Sequence, residues 1–177
     1  MGPFSPLPME CNHAIHSLMH SLQGAIVVRG RTVDFSGGTG YVEQDFGKSF
    51  PLEYLWMQTN DLQGREGCLF LSVAKIPFLG KSFDGCIGVL YLDGREYRLA
   101  TYLGVRILSA TERSVRLKQG KTLLEIKIEK SEAYPLLAPV AGEMSRTIRE
   151  SSNAPARIRF LKKGAPLLDA QSNTASF

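Results

Sequence analysis

Alternation of apolar and polar residues is the main pattern along this chain, and it predicts β-strands. The alternation is clearest at residues 121–129, where leucine and isoleucine alternate with glutamate and lysine. This is the pattern of an antiparallel strand with one face toward solvent. Residues 114–118 alternate in the same way. The short Gln119-Gly120 connection between the two segments predicts a hairpin.

A second hairpin is predicted in the middle of the chain. Asp93-Gly94 separates two strand-like segments, residues 85–92 and residues 95–102, and Asp-Gly is a favoured pair for the type I′ turn. Residues 67–76 predict a further strand, and we expect the chain to reverse at residues 77–81 into the strand that follows.

The remaining segments extend the same pattern, with one exception. Residues 142–151 have helical spacing of apolar side chains and predict a short helix, whereas residues 171–177 predict a tail or a short strand. Further strands are predicted at residues 11–20, 25–29, 32–35 and 156–161. About ten short strands with turns between them indicate an all-β fold, either an antiparallel barrel or a strongly curved sheet.

Length and composition fit one globular domain spanning residues 1–177. The chain is 44% apolar and 21% charged, and no apolar run approaches the ~20 residues that a membrane-spanning helix needs. The N-terminus lacks the basic start and continuous apolar segment of a signal peptide. We therefore expect a cytoplasmic protein.

The three cysteines predict free thiols in a reducing compartment. Their number is odd, and no CxxC or Cys/His metal spacing is present. In the predicted pairing, Cys68 lies near the hairpin end opposite Leu92 and away from Cys86, which argues against a disulfide between the two cysteines.

Net charge is +4, and basic residues are concentrated in the last third of the chain. A basic face is able to meet nucleic acid or an anionic membrane surface. However, Arg157 and Arg159 alternate with Ile158 and Phe160, the pattern of a solvated strand face. No nucleic-acid motif accompanies them, so we expect no nucleic-acid partner and keep contact with a membrane surface as an expectation.

Several motifs fail on spacing. Neither Gly47-Lys48-Ser49 nor Gly80-Lys81-Ser82 has the upstream glycine of a phosphate-binding loop. Asp45-Phe46-Gly47 matches a kinase tripeptide without the accompanying kinase motifs. On a regular strand His13 faces away from His16 and His20, so a three-histidine metal site requires a bulge. We expect neither a metal nor a cofactor.

Two acids stand out because of their neighbours. Glu43 and Asp45 are two residues apart, so a strand places both on one face. Spacing alone favours a solvent-exposed acidic pair. The aromatic residues near these acids are Tyr41, Phe46, Phe50, Tyr54 and Trp56. Such neighbours favour a desolvated carboxyl group, and the raised pKa of a desolvated carboxyl group suits a general acid.

The motif at residues 40–51, Gly-Tyr-x-Glu-x-Asp-aromatic-Gly-x-x-Phe-Pro, is followed by Trp-x-Gln-x-Asn at residues 56–60. Together with residues 8–13 and 17–24, these motifs resemble the tocopherol cyclase-like family. The resemblance continues through residues 83–85 and, more weakly, 144–151. Phe46 stands where the family pattern favours tryptophan.

This resemblance implies a lipocalin-like β domain that corresponds to the C-terminal half of a two-domain protein, with a partner N-terminal half-domain. It also implies a reaction, the closure of a chroman ring on a prenylated hydroquinone, an apolar substrate, by acid catalysis without a cofactor. The catalytic residues it suggests are Asp45, Glu43, His13 and Glu10. The substrate-binding residues are Tyr41, Trp56, Gln58, Asn60 and Phe50.

Two alternatives remain at the level of sequence. One is a lipocalin-like protein that binds an apolar or isoprenoid ligand without chemistry. The other is a structural half-domain whose acids only support a bulge or turn. An acid that points into an apolar cavity would favour catalysis over both alternatives.

Overall fold

The computed structural model of the chain describes Gly2, residues 9–78 and residues 81–177, and among them it contains no α-helix. Parts of the predicted N-terminal segment and of the reversal at residues 77–81 therefore lie outside the described residues. The strands are β1 (Cys11–Ser21), β2 (Ala25–Val28), β3 (Arg31–Asp34), β4 (Thr39–Gly47), β5 (Tyr54–Thr59), β6 (Gly67–Phe78), β7 (Lys81–Leu92), β8 (Arg95–Ala100), β9 (Arg106–Thr111), β10 (Ser114–Gln119), β11 (Thr122–Ile128), β12 (Tyr134–Val140), β13 (Glu143–Glu150), β14 (Ala154–Lys162) and β15 (Ala165–Ala175).

Two antiparallel sheets face each other across the main core. One has the order β5-β6-β7-β8 and the other has the order β15-β14-β11-β10-β9. Apolar side chains from both sheets form one buried cluster, in which Met57, Leu71 and Leu90 meet Leu124 and Phe160. Burial of this apolar surface is the main force that holds the two sheets together.

The two sheets are also joined at both edges. Gln58 in β5 exchanges two backbone hydrogen bonds with Ser176, at 3.0 and 2.8 Å. Near the other edge, the side chain of Gln119, at the end of β10, accepts a hydrogen bond from the Ala100 amide and donates one to the Arg98 carbonyl. The prediction of an all-β antiparallel fold is confirmed, and the described strands form five separate hydrogen-bonded sheets.

Both hairpins predicted from turn residues are present, as the β7–β8 and β10–β11 pairs. Asp93 and Gly94 have φ values of 48° and 77° and connect β7 to β8, as the type I′ turn requires. In the β6–β7 pair Cys68 lies opposite Tyr91, one residue from the predicted partner, whereas Cys86 lies opposite Val73. All three cysteines are free.

The helix predicted at residues 142–151 is wrong, because this segment forms β13. Its half-buried residues Arg146, Ile148 and Glu150 alternate with exposed ones, which is the period of a strand. Pairing with β12 through a turn at Ala141-Gly142 overrides the local helical spacing. Of the two alternatives for residues 171–177, a tail or a short strand, the strand is observed, since β15 continues to Ala175.

A second layer covers the other face of the four-stranded sheet. Two long hairpins, β1–β4 and β12–β13, supply it. The His13 ring of β1 stacks on Phe70 of β6 with 4.5 Å between ring centroids, and Glu150 of β13 accepts a hydrogen bond from Tyr54 of β5. No helix in the described part of the chain is long and apolar enough to cross a membrane.

Candidate functional site

A cavity of about 1150 Å³ lies between the outer face of the four-stranded sheet and the two covering hairpins. The space between the two main sheets is filled by packed side chains, so the cavity is on the opposite face of β5–β7 from the core. Most of its wall is apolar, with contributions from Phe50, Ile76, Phe83, Leu136 and Ile148. Its volume suits an apolar ligand of more than one ring.

Acidic groups enter this cavity from the β1–β4 ladder. Asp45 pairs with His13, and Glu43 pairs with Ile15, so the two acids and the histidine share the face that points at the cavity. At the end of the ladder, an added Cβ on Gly47 would lie 2.0 Å from the Glu10 carbonyl oxygen. Glycine therefore allows the close approach that brings β1 against β4 at this end.

His13 lies between the two acids. Its Nδ1 is 2.8 Å from the Asp45 carboxylate, and its Nε2 is 3.5 Å from Glu43 Oε2. The side chain is only 10% exposed, and Nε2 makes no hydrogen bond. If Nδ1 carries the proton toward Asp45, the Nε2 lone pair faces Glu43.

Burial raises the pKa of the Glu43 carboxyl group above its ordinary value. Opposing contributions come from the hydrogen bond that Tyr41 donates, from the His13 charge and from the Trp56 indole. The indole Nε1 is buried and completes no hydrogen bond of normal geometry. Desolvation outweighs these contributions, so Glu43 holds its proton at higher pH than an exposed glutamate.

A further acid of raised pKa lines the same cavity from the β12–β13 hairpin. Glu150 on β13 accepts a 3.3 Å hydrogen bond from the Tyr54 hydroxyl, and both residues line the cavity. Burial raises the pKa of Glu150, and it also raises the pKa of Tyr54 to about 12. Sequence reasoning missed Glu150 because the segment was predicted to be helical. Alternation of Arg146, Ile148 and Glu150 was the signal that could have found it.

The structure brings most of the sequence-predicted residues to the cavity. Its lining includes Asp45, Glu43, His13, Glu10, Trp56 and Phe50. Glu10 is exposed at the rim, and its backbone carbonyl accepts hydrogen bonds from the amides of Lys48 and Ser49.

Three predicted substrate-binding residues are not among the lining residues. Tyr41 lies behind Glu43 and donates a hydrogen bond to it. Gln58 Nε2 donates a hydrogen bond to Asn60 Oδ1, whereas Asn60 Nδ2 is buried and makes no hydrogen bond. Phe46, at the family's tryptophan position, is half exposed and lies on the other face of β4 from Asp45.

Metal-ligand geometry does not occur in the part of the chain that the structure describes, where no group of three or more His, Cys, Asp or Glu is arranged to hold an ion. The other two histidines have partners elsewhere, since His16 contacts Gln44 and His20 contacts the Ser17 hydroxyl. Independently of any metal, a carboxyl group of raised pKa and an imidazole lie together at a largely apolar cavity, an arrangement that suits proton transfer.

Comparisons with known proteins give no family assignment. No family model matches the sequence, and neither a curated protein nor a solved structure matches it.

Proposed function

We propose that this chain closes a chroman ring on a prenylated hydroquinone by acid-catalysed cyclisation. The observation that carries the proposal is Glu43, a carboxyl group of raised pKa that lines a largely apolar cavity. Resemblance of residues 40–51 and 56–60 to the tocopherol cyclase-like family supports the same reaction.

In the proposed first step, protonated Glu43 gives its proton to the tail double bond nearest the substrate ring. The proton adds to the less substituted carbon, and a tertiary carbocation forms at the other carbon. The Trp56 indole lines the cavity with Glu43, and its π-face stabilises this cation. Exclusion of water by the apolar wall protects the cation from hydration.

In the second step, the phenol oxygen attacks the cation, and the new C–O bond closes the ring. The phenol proton leaves to a base, for which the Asp45–His13 pair is placed beside Glu43. Passage of that proton from His13 to Glu43 restores the acid. The reaction is an isomerisation, so atoms and charge balance without an oxidant or a reductant.

The favoured acid is Glu43 rather than Asp45. Glu43 has a raised pKa, whereas the Asp45 carboxylate is engaged by His13 Nδ1 at 2.8 Å. Glu10 is exposed at the rim and lacks the water-excluded surroundings of Glu43. Tyr41 serves as a positioning residue, because it contacts Glu43 without lining the cavity.

Binding of an isoprenoid ligand without chemistry is the second candidate, and the apolar wall of the cavity favours it. The buried acids distinguish the two candidate functions. Burial of a carboxyl group costs free energy, and binding an apolar ligand without chemistry does not require such a group beside the ligand.

The test is incubation with a methyl-phytyl hydroquinone without oxygen, followed by chromatographic analysis of the chroman product. We expect product with the parent protein and a loss of about 100-fold or more in Glu43→Gln. Glu143→Gln, an exposed acid outside the cavity lining, serves as the matched control. Tight binding without product supports the carrier, and neither binding nor product contradicts both candidates.

A further inference from the structure

The β2–β3 hairpin is an apolar projection that the cavity chemistry does not use. Every residue from 23 to 39 is exposed, including all of both strands. Ile26 and Val27 are 52% and 70% exposed, and Val28, Val33 and Phe35 are also exposed. Isolated exposed apolar residues are common, but five within one short hairpin are not.

Both faces of this hairpin carry apolar side chains. Ile26 pairs with Val33, and Val28 lies two residues along on the same face. Val27 points to the opposite face. A protein partner docked against one face would leave the other in water. A lipid interface surrounds both faces at once.

The tip of the hairpin is basic. Arg29 and Gly30 form the turn with φ values of 51° and 76°, and Arg31 follows directly. Asp34 is the one acid in β2–β3, and its carboxylate accepts a hydrogen bond from the Ser36 amide at the neck. Two arginines beside exposed valines complement an anionic, apolar interface.

Hydrogen bonds at the base hold the hairpin in place. The Phe35 amide donates to Gly24, the Leu22 amide donates to Gly38 and the Gly37 amide donates to Leu22. A two-stranded hairpin in water is marginally stable by itself. The hydrogen bonds at its base therefore stabilise the hairpin conformation before any partner binds.

From these observations we propose that the β2–β3 hairpin docks on an anionic lipid bilayer. Its valines and isoleucine enter the boundary between headgroups and acyl chains, while the long side chains of Arg29 and Arg31 extend back to the lipid phosphates. Insertion is shallow, because the outer edges of both strands carry unpaired backbone groups that need water or headgroups.

The docking hairpin lies at one end of the β1–β4 ladder, whereas Glu43 pairs with Ile15 at its middle and Asp45 pairs with His13 toward the other end. Ser21 pairs with Thr39 next to the hairpin, whereas Cys11 pairs with Gly47 at the cavity end. Hairpin substitutions therefore test docking while leaving the cavity intact.

The experiment is co-sedimentation of the full chain with vesicles of phosphatidylcholine alone or with roughly one-third phosphatidylserine. We expect binding to the anionic vesicles, weakened by salt. Two changes, Val27→Glu and the pair Arg29→Gln with Arg31→Gln, should each weaken it about tenfold or more. The matched controls are Leu108→Glu, an exposed apolar site outside the hairpin, and the pair Arg95→Gln with Arg113→Gln.

Several outcomes would overturn the docking proposal. These are no binding by the parent protein, equal binding by the Val27→Glu variant, or equal losses in the control variants. Sedimentation velocity adds a further check, because a dimer that Val27→Glu dissolves would identify a second copy of the chain as the occupant. Circular dichroism of each variant confirms folding.

Discussion

The Tyr41 hydroxyl donates a 2.7 Å hydrogen bond to Oε2 of Glu43, and both residues lie on β4 two positions apart. This bond favours the charged carboxylate, whereas burial favours the protonated acid. Burial has the larger effect. Tyr41 is thus the first of the contributions that limit the rise in the Glu43 pKa, and its hydrogen bond fixes one oxygen of the carboxyl group.

Replacement of Tyr41 by phenylalanine should move the pH dependence of cyclisation. Loss of the donated hydrogen bond raises the Glu43 pKa further, so the acid stays protonated to higher pH. The high-pH limb of the rate profile should shift upward in Tyr41→Phe. Tyr134→Phe, a change at an exposed tyrosine, should leave the profile in place, and an unshifted profile in Tyr41→Phe would contradict the positioning role.

Glu43 should also make stability depend on pH. Its folded-state pKa is raised, so the folded protein binds more protons than the unfolded chain between the unfolded and folded pKa values. The stability cost is absent below the unfolded pKa and develops as pH rises through the folded pKa. Denaturant unfolding at several pH values should show that Glu43→Gln gains stability over the parent as pH rises.

Glu150→Gln should behave in the same direction, because burial raises its pKa as well. The exposed control Glu143→Gln should show no such trend. A pH-independent difference between Glu43→Gln and the parent protein would mean that the Glu43 carboxyl group is not desolvated.

Gly47→Ala should be strongly destabilising. An added Cβ would meet the Glu10 carbonyl oxygen at 2.0 Å in a backbone with φ of 154°, so the ends of β1 and β4 must separate. We expect a loss of about 2 kcal/mol or more in the free energy of unfolding. Gly94→Ala has a positive φ with open space around it and should lose only about 1 kcal/mol. Equal losses in calorimetry would contradict this close approach.

The two buried cysteine thiols, Cys68 and Cys86, should be unreactive in the folded protein. Burial raises the pKa of Cys68 to about 11 and that of Cys86 to about 12, so the thiolate fraction at mildly basic pH falls on the order of 100-fold or more. Labelling with a chromogenic disulfide reagent should be slow in buffer and fast in denaturant. Rapid labelling of either residue in buffer would show that its strand opens locally.

Local signals were sufficient for much of the fold. Alternation in β11 and the Asp93-Gly94 turn each specify a strand or a hairpin without reference to distant residues. β13 was different, because its side chains also fit a helix and only its partner β12, on the far side of a turn, decides between them. Pairing between strands of this kind cannot be predicted from a short stretch of sequence alone.

The site was partly predictable for the same reason. Two-residue spacing placed Glu43 and Asp45 on one face, and the structure puts both in the cavity with His13. Spacing could not reveal Glu150, which reaches the cavity through the separate β12–β13 hairpin. Nor could it show that Gln58 bonds to Asn60 instead of facing the cavity.

The most direct measurement is cyclisation of a methyl-phytyl hydroquinone in deuterated water, with mass spectrometry and NMR of the product. Proton transfer from Glu43 predicts one deuterium, on the ring methylene next to the new quaternary carbon. The Glu43→Gln variant should give about 100-fold less of this product, with Glu143→Gln equal to the parent. Full turnover by Glu43→Gln, or product without that deuterium, would contradict the account.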